Sequence, residues 1–253
     1  MAKPLDGAVA LVTGASSGIG QATAQALAAQ GAAVALAARR TERLEQLAED
    51  IRAADGRALV IATDVADKTQ AQAAVARTVA ELGRLDTLVN DAGVGYLAPI
   101  LDAPLDEWER MIQVNLLGLL YTTHAALPHL LKAAQDSPRQ VADLVNISSI
   151  AGRAASSDDG VYAATKFGVG AFSESLRQEV TRRHVRVSVV EPGAVATEIV
   201  SHMPEKERQP YLKHLAGFEQ LAAEDIADTI AFLVTRPRHV AVNEVLIRPT
   251  EEE

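Results

Sequence analysis

The sequence predicts an α/β fold of the Rossmann type, a doubly wound, seven-stranded parallel sheet with helices on both faces. Short apolar segments alternate with longer segments of helical periodicity along the chain, as expected for parallel strands joined by crossover helices. The apolar segments lack the polar–apolar alternation of half-exposed strands, so both faces of the sheet should be covered. A glycine-rich turn at residues 13–20 follows the first strand. We therefore interpret residues 1–253 as one domain.

The predicted elements follow one another without an interdomain linker or an internal repeat. Apolar runs predict strands at residues 8–13, 33–37, 58–62, 87–90, 141–148, 185–190 and 244–247. Helical periodicity predicts helices at residues 18–30, 41–54, 68–82, 105–133, 161–183 and 224–233. Residues 194–221 show no regular pattern and follow a strand end, where such sheets bind ligands. We interpret this segment as a substrate lid, and a plain surface excursion is the alternative.

Composition excludes several classes of function. The net charge of −9 disfavours nucleic acid as a partner, because phosphate contacts need basic patches. The absence of cysteine excludes disulfides and thiol nucleophiles, and the six histidines show no metal-ligand spacing with carboxylates, so we expect no metal. No apolar run approaches the roughly 20 residues that span a bilayer, and no signal peptide is evident. We expect a soluble, cytoplasmic protein without a membrane partner.

The glycine-rich turn is the predicted binding site for a dinucleotide. Glycine permits a positive φ and a close backbone approach, and the helix that follows offers free N–H groups to a pyrophosphate. The first gap of the motif is longer than in the common G-x-G-x-x-G pattern, so a plain tight turn is the alternative. The position between the first strand and a long helix favours the dinucleotide. The candidate residues are Gly14, Ser16, Ser17, Gly18, Ile19 and Gly20.

The second strand ends at Arg39 and Arg40 rather than at an acid. A site for NAD usually places an acid there to bind the ribose 2′-hydroxyl, whereas Arg39 can contact a 2′-phosphate. This favours NADP(H), with two solvated arginines ahead of a helix as the alternative. Asp64, at the end of the third strand, is positioned to accept a hydrogen bond from the adenine amino group. Further candidates beside the cofactor are Val65, Asn90, Ala92 and Gly93.

Tyr162 and Lys166 lie four residues apart on one predicted helix, so both side chains point the same way. Together with Ser149 and Asn115 they describe a site that moves a hydride and a proton at a carbonyl or alcohol carbon. Each residue alone has an ordinary explanation. Tyr-x-x-x-Lys is common, Ser149 can bond its own backbone, and Asn115 can mark a helix kink. Their order after a dinucleotide turn favours catalysis.

The chain resembles the short-chain dehydrogenase/reductase family, in its branch of about 250 residues. The resemblance rests on residues 13–20, 64–65, 90–93 and 147–149, on Asn115, on the run from Tyr162 to Lys166, and on Pro192-Gly193 with Thr197. It implies that Tyr162 is the general acid in reduction and the base in oxidation. Lys166 would lower the pKa of Tyr162 and hold the nicotinamide ribose. Ser149 would bond the substrate oxygen.

The resemblance also assigns positioning roles. It implies that Asn115 holds a water in a proton relay to Lys166, and that Thr197 bonds the carboxamide. The cofactor candidates near the sixth strand are Pro192, Gly193, Val195 and Thr197. Asp91 stands where the family often has asparagine, and it either changes cofactor affinity slightly or accepts backbone bonds. We expect the substrate pocket to be lined by Val94, Gly95, Tyr96, Arg153, Tyr211 and Phe218.

These observations favour NADPH-dependent reduction of a ketone or aldehyde to an alcohol. The sequence looks like a bacterial branch that includes clavulanic-aldehyde reductases and 3-hydroxy acid dehydrogenases, which suggests a small polar aldehyde, a β-keto acid or a β-keto ester. One alternative is an acyl-carrier-protein ketoreductase, which would need a more basic surface near the site. Another is a nucleotide-sensing protein without catalysis, which would predict a broken catalytic set. The resemblance implies a homo-oligomer, a tetramer or a dimer.

Overall fold

A computed structural model describes residues 3–201 and 203–252. Within these residues, seven parallel strands form one sheet in the order β3-β2-β1-β4-β5-β6-β7. The predicted fold class is therefore confirmed. The strands are β1 Val9–Thr13, β2 Ala33–Ala38, β3 Arg57–Ala62, β4 Thr87–Asn90, β5 Ala142–Ile147, β6 Val185–Pro192 and β7 Glu244–Ile247.

The helices alternate with the strands. In the described residues they are α1 Gly18–Ala29, α2 Thr41–Ala53, α3 Lys68–Leu82, α4 Leu105–Met111, α5 Leu119–Asp136, α6 Gly160–Val180, α7 Glu205–Leu215 and α8 Ala223–Val234. A π-helical turn, Ile112–Gly118, joins α4 to α5, and short 3-10 turns lie at Ile150–Gly152 and Thr181–Arg183. No helix within residues 3–201 and 203–252 is long and apolar enough to cross a bilayer.

Both faces of the sheet are covered, as the apolar strands predicted. On one face, Leu27 of α1, Leu44 of α2 and Ile230 of α8 pack in a single cluster with strand residues. On the other face, Val75 of α3 and Leu130 of α5 belong to a second cluster, which α6 also joins. These buried side chains fix the carboxyl ends of the strands relative to one another.

Two regions differ from the sequence-based prediction. The long helix predicted at residues 105–133 is divided by the π-helical turn, which contains Asn115. The segment 194–221, predicted to be irregular, contains α7. The ends of this segment are joined, because Val195 and Leu221 form a parallel bridge in which Ala196 N–H donates to the Leu221 carbonyl at 2.9 Å. The segment therefore leaves and rejoins the fold at one place.

The strand order reverses between β1 and β4, both of which pair directly with each other at the centre of the sheet. β2 and β3 lie on one side of β1, and β5, β6 and β7 lie on the other side of β4. Ligands of open α/β sheets bind at such a reversal, outside the carboxyl ends of the strands. The turns after β1, β4, β5 and β6 meet there.

Candidate active site

One large cleft of about 690 Å³, here the central cleft, opens at the carboxyl ends of the strands. It brings together most of the residues predicted from the sequence. Three of the four catalytic candidates, Ser149, Tyr162 and Lys166, line it. So do the cofactor and pocket candidates Gly14, Ser16, Ser17, Gly18, Ile19, Arg39, Arg40, Asp64, Val65, Ala92, Gly93, Val94, Gly95, Pro192, Gly193, Val195, Thr197 and Tyr211.

The glycine-rich turn has the geometry of an anion cradle. Gly14 and Gly18 have φ values of +71° and +54°, which side chains rarely adopt. A Cβ on Gly14 would come within 2.8 Å of the Ala92 nitrogen, and one on Gly18 within 3.1 Å of Thr197 Cγ2. Ser17, the residue before α1, makes no side-chain cap to the helix among the described residues. The N–H groups of Gly18 and Ile19, the first two residues of α1, therefore remain available, and they fit the pyrophosphate of a dinucleotide.

Arg40 reaches back from the end of β2 to this turn. Its Nε donates to Ser16 Oγ at 3.1 Å, and its Nη2 donates to Ser17 Oγ at 2.5 Å. Its Nη1 lies 2.7 Å from a carboxylate oxygen of Glu198, which stands in the segment after β6. Arg39 is exposed and lines the same part of the cleft. Two guanidinium groups and two hydroxyls thus lie together beside the end of β2.

Tyr162 lies near the start of α6 with its hydroxyl turned toward Ser149. Burial raises the pKa of Tyr162 to about 12, and the hydrogen bond with Ser149 acts in the opposite direction. Nearby acidic groups, including Asp159 and Asp91, raise the pKa further. Tyr162 is therefore protonated across the physiological pH range in this structure. It can donate a proton, and Ser149 can hold the acceptor oxygen.

Lys166 is buried beside Tyr162. Its Nζ lies 5.6 Å from the centroid of the Tyr162 ring and donates to the Ile147 carbonyl at 2.9 Å. Burial lowers the pKa of Lys166 to about 8, and Asp91 acts against this shift. The sequence led us to expect that Lys166 lowers the pKa of Tyr162. Burial is the largest influence on both groups, and the pKa of Tyr162 is raised overall in this structure.

Asn115 is buried behind the cleft rather than in its described walls. Its side-chain oxygen accepts from Val94 N–H at 2.8 Å, and its amide donates to the Val94 carbonyl at 2.9 Å and to Thr165 at 3.3 Å. The π-helical turn widens the helix and directs this side chain toward the turn after β4. Asn115 therefore ties that turn to α6, the helix of Tyr162 and Lys166.

Five other predicted residues lie outside the cleft walls that the described residues form: Gly20, Asn90, Tyr96, Arg153 and Phe218. Asn90 points into the interior, where it donates to Thr123 and Asn146 at 2.9 Å. Tyr96 is buried in a small apolar cluster. Arg153 is bonded to the buried carboxylate of Glu191 at 2.8 Å, so its charge is already neutralised. Gly20 contacts Asp91 instead of the cleft.

The structure adds charged residues that the sequence did not single out as site residues, among them Glu198, Arg110 and Glu252. Glu198 and Arg110 line the central cleft from the segment after β6 and from α4. Glu252 also lines it, and both of its carboxylate oxygens accept from the Ala194 N–H at 3.2 Å. Glu198 follows Thr197 directly, so its place beside a predicted cofactor residue was a usable signal. Nothing in the local sequence marks Glu252, because its contact spans 58 residues.

Comparison with known proteins agrees with this geometry. The sequence profile described as "short chain dehydrogenase" matches residues 8–208. The chain belongs to this family. Among the relatives of the chain, the glycine betaine reductase of Emericella nidulans is 41% identical over 249 residues. The match covers 98% of this chain but 19% of the longer fungal protein.

Solved structures of family members cover the chain almost completely. A metagenomic short-chain oxidoreductase in complex with NADP is 35% identical, with a TM-score of 0.81 over 98% of this chain and 99% of that chain. A short-chain dehydrogenase/reductase from Burkholderia phymatum in complex with NAD is 26% identical, with a TM-score of 0.85 over 96% and 89%. This short-chain dehydrogenase is thus an oxidoreductase, and its structural neighbours bind either NADP or NAD.

Proposed function

We propose that the protein catalyses NADPH-dependent reduction of a ketone or aldehyde to an alcohol, in a reversible reaction. The observation that carries this proposal is the convergence of Ser149, Tyr162 and Lys166 in one cleft with the glycine-rich turn. A nucleotide sensor would not need an acid, a hydrogen-bonding hydroxyl and a buried lysine together.

The chain's own residues account for the proton side of the reaction. Bound NADPH supplies the hydride that reduces the carbonyl carbon. Tyr162 donates its phenolic proton to the carbonyl oxygen as the alcohol forms, and Ser149 holds that oxygen by a hydrogen bond. Burial keeps Tyr162 in the protonated form that reduction needs. Lys166 lies behind the ring, where its charge favours the phenolate that remains after transfer.

The proposed preference for NADPH rests on the end of β2. Arg39, Arg40 and Ser16 line this part of the cleft, and the two residues directly after β2 include no acid to bind a 2′-hydroxyl. A phosphate between two guanidinium groups gains charge-assisted hydrogen bonds that NADH cannot make. Asp64 would accept from the adenine amino group, and Thr197 would bond the nicotinamide carboxamide.

The substrate would enter beside Tyr162. Val94, Gly95 and Tyr211 line this end of the cleft, and we propose that segment 194–221 acts as a lid over it. The pair of bridged residues, Val195 and Leu221, would serve as its hinge. The name of the fungal relative adds a small quaternary-ammonium carbonyl compound to the β-keto acids, β-keto esters and polar aldehydes that the sequence suggests. The described basic residues near this end, with Arg153 already paired, are too few to support an acyl-carrier-protein substrate.

We also propose a cytoplasmic homo-oligomer. A chain without cysteine suits a reducing compartment. Ile112 lies on the π-helical turn and Phe167 on α6, and the two residues are 41% and 46% exposed. Such apolar side chains on two adjacent elements favour contact with a second copy. Light scattering of the protein and of Phe167→Asp tests this, with a smaller particle expected for the variant.

A carbonyl panel with NADPH and NADH in parallel tests the catalytic proposal. Oxidation of the reduced cofactor is followed by absorbance with aldehydes, β-keto esters, cyclic ketones and betaine aldehyde. We expect turnover with at least one class and faster turnover with NADPH. Tyr162→Phe should abolish it while NADPH binding persists, whereas Tyr121→Phe, outside the described cleft walls, should leave it intact. Equal activity of both variants would remove Tyr162 from the acid role.

A further inference from the structure

Asp91 lies directly beneath the glycine-rich turn, with its carboxylate turned toward the backbone. A Cβ on Gly20 would come within 2.6 Å of Asp91 Oδ2, and one on Gly14 within 3.0 Å of the same oxygen. The carboxylate accepts a hydrogen bond from the Gly20 N–H in the first turn of α1. The backbone N–H of Asp91 donates to Thr13 Oγ1 at 3.1 Å. The residue is thus held from both sides, and it also forms part of the cleft wall.

The charge of Asp91 is only partly compensated. Among the described residues, two titratable groups interact electrostatically with Asp91. They are Lys166 and Tyr162, and both lie on α6. The glycine-rich turn contributes the Gly20 N–H group rather than a cation. Removal from water raises the pKa of Asp91 to about 7, although Lys166 and the Gly20 bond act to lower it. Near neutral pH, the protonated and ionised forms therefore both exist.

A dinucleotide on the turn would bring more negative charge to the same place. The pyrophosphate carries two negative charges, and it would lie across the turn from a carboxylate oxygen that is close to Gly14 and Gly20. Like charges at short range in a poorly solvated site repel strongly and favour the protonated acid. The bound cofactor would also cover the part of Asp91 that faces the cleft, which removes it further from water.

We propose that Asp91 is a positioning residue that couples cofactor binding to proton uptake. When the pyrophosphate binds to the turn, one proton passes from solvent to the Asp91 carboxylate. The proton returns to solvent when the cofactor dissociates. The protonated acid keeps the turn in place without repelling the pyrophosphate. This inference rests on the proposed function only in that the turn binds a dinucleotide. It requires no particular carbonyl substrate.

The coupling has a defined pH dependence. At a pH where Asp91 is ionised in the free protein, binding must supply one proton, so the dissociation constant for NADPH should rise by up to about tenfold per pH unit. Below this range Asp91 is already protonated, and the constant should be level. Asp91→Asn keeps an acceptor for the Gly20 N–H and carries no charge. It should bind NADPH more tightly at pH 8 and lose this part of the pH dependence.

Isothermal titration calorimetry of the full chain with NADPH tests the coupling at pH 7.5, in two buffers that differ in ionisation enthalpy. We expect uptake of up to about three quarters of a proton for the wild type, whose Asp91 has a pKa of about 7, and clearly less for Asp91→Asn. Subtracting the variant also removes any proton contributed by the 2′-phosphate. Asp158→Asn, which removes an exposed carboxylate from the same cleft, should retain the uptake.

The outcomes separate the two proposals. Binding of NADPH with equal proton uptake in the wild type and Asp91→Asn would overturn the role of Asp91 and leave the reductase proposal standing. Absence of any NADPH or NADH binding would overturn the dinucleotide site itself. If Asp91→Asn does not fold, the wild type still decides, because a dissociation constant that is level from pH 6 to pH 8 contradicts the coupling.

Discussion

The guanidinium of Arg40 and the carboxylate of Glu198 lie 2.7 Å apart and connect the turn after β2 with the segment after β6. Arg43 joins the same carboxylate at 2.9 Å. Both side chains of the closer pair are more than 40% exposed, at 43% and 46%, so the bond itself adds little to stability. The ion pair instead fixes the position of Arg40, which also bonds the hydroxyls of Ser16 and Ser17 in the glycine-rich turn.

Arg40→Ala should therefore weaken NADPH binding far more than NADH binding. Loss of a charge-assisted contact to the 2′-phosphate corresponds to about 1.5–3 kcal/mol, or roughly ten- to a hundredfold in the dissociation constant. Arg43→Ala is the matched control, because Arg43 shares Glu198 but lies outside the described cleft walls. Fluorescence titration with both cofactors measures the effect. Equal losses for NADPH and NADH would show that Arg40 does not contact the 2′-phosphate.

Ser149→Ala should slow reduction by about a hundredfold, the effect of removing one donor to a developing oxyanion. It should also move the pH profile of alcohol oxidation to higher pH. The hydrogen bond from Ser149 lowers the pKa of Tyr162, so its loss leaves the phenolate harder to form. Ser148→Ala is the comparison, since Ser148 Oγ bonds the Lys166 carbonyl instead. A larger loss for Ser148→Ala would reverse the assignment of the two serines.

Asn90→Ala should destabilise the protein without changing NADPH affinity. The Asn90 side chain accepts from Thr122 at 2.6 Å in addition to its two donated bonds, and all these groups are buried. Leaving buried partners unsatisfied costs about 1–3 kcal/mol per group. Thermal unfolding of Asn90→Ala and of the exposed Gln46→Ala measures the difference. A large change in NADPH affinity with unchanged stability would indicate that Asn90 contacts the cofactor, as the sequence analysis expected.

Asp91→Asn should stabilise the cofactor-free protein at alkaline pH. The pKa of Asp91 is raised from 3.8 to about 7 on folding, so ionisation opposes folding as the pH rises through this range. Above pH 7 the free energy of unfolding of the wild type is therefore lowered by an amount on the order of 2–4 kcal/mol, and that of the variant is not. Below pH 4 this pH-dependent difference between the free energies of unfolding of the wild type and the variant should disappear. Urea unfolding at pH 4.5 and pH 8 checks this, and an equal difference at both values would contradict it.

The sequence predicted the sheet and six of its helical regions because strand and helix patterns are local. It did not predict α7, where Pro210 and a run of charged residues hide the helical pattern. Arg153 was assigned to the pocket from its position in a loop. Its actual partner, Glu191, lies 38 residues away on β6, and such an ion pair has no local signal.

The pKa values of the site residues were harder to predict than which residues form the site. Spacing correctly brought Tyr162 and Lys166 to one face of a helix beside the cleft. It did not reveal that burial shifts the pKa values of the two groups in opposite directions, upward for the tyrosine and downward for the lysine. Desolvation depends on every element packed around a group, and that is a property of the assembled fold.

The contact between Glu252 and Ala194 has a practical consequence for fusion proteins. Glu252 lines the central cleft, so a module fused shortly after it would be tethered near the segment proposed as a lid. An affinity tag or a second catalytic module joined there would stand close to the path of the substrate. A module so joined could receive or deliver a reactive aldehyde over a short distance, whereas a tag there would be expected to obstruct entry.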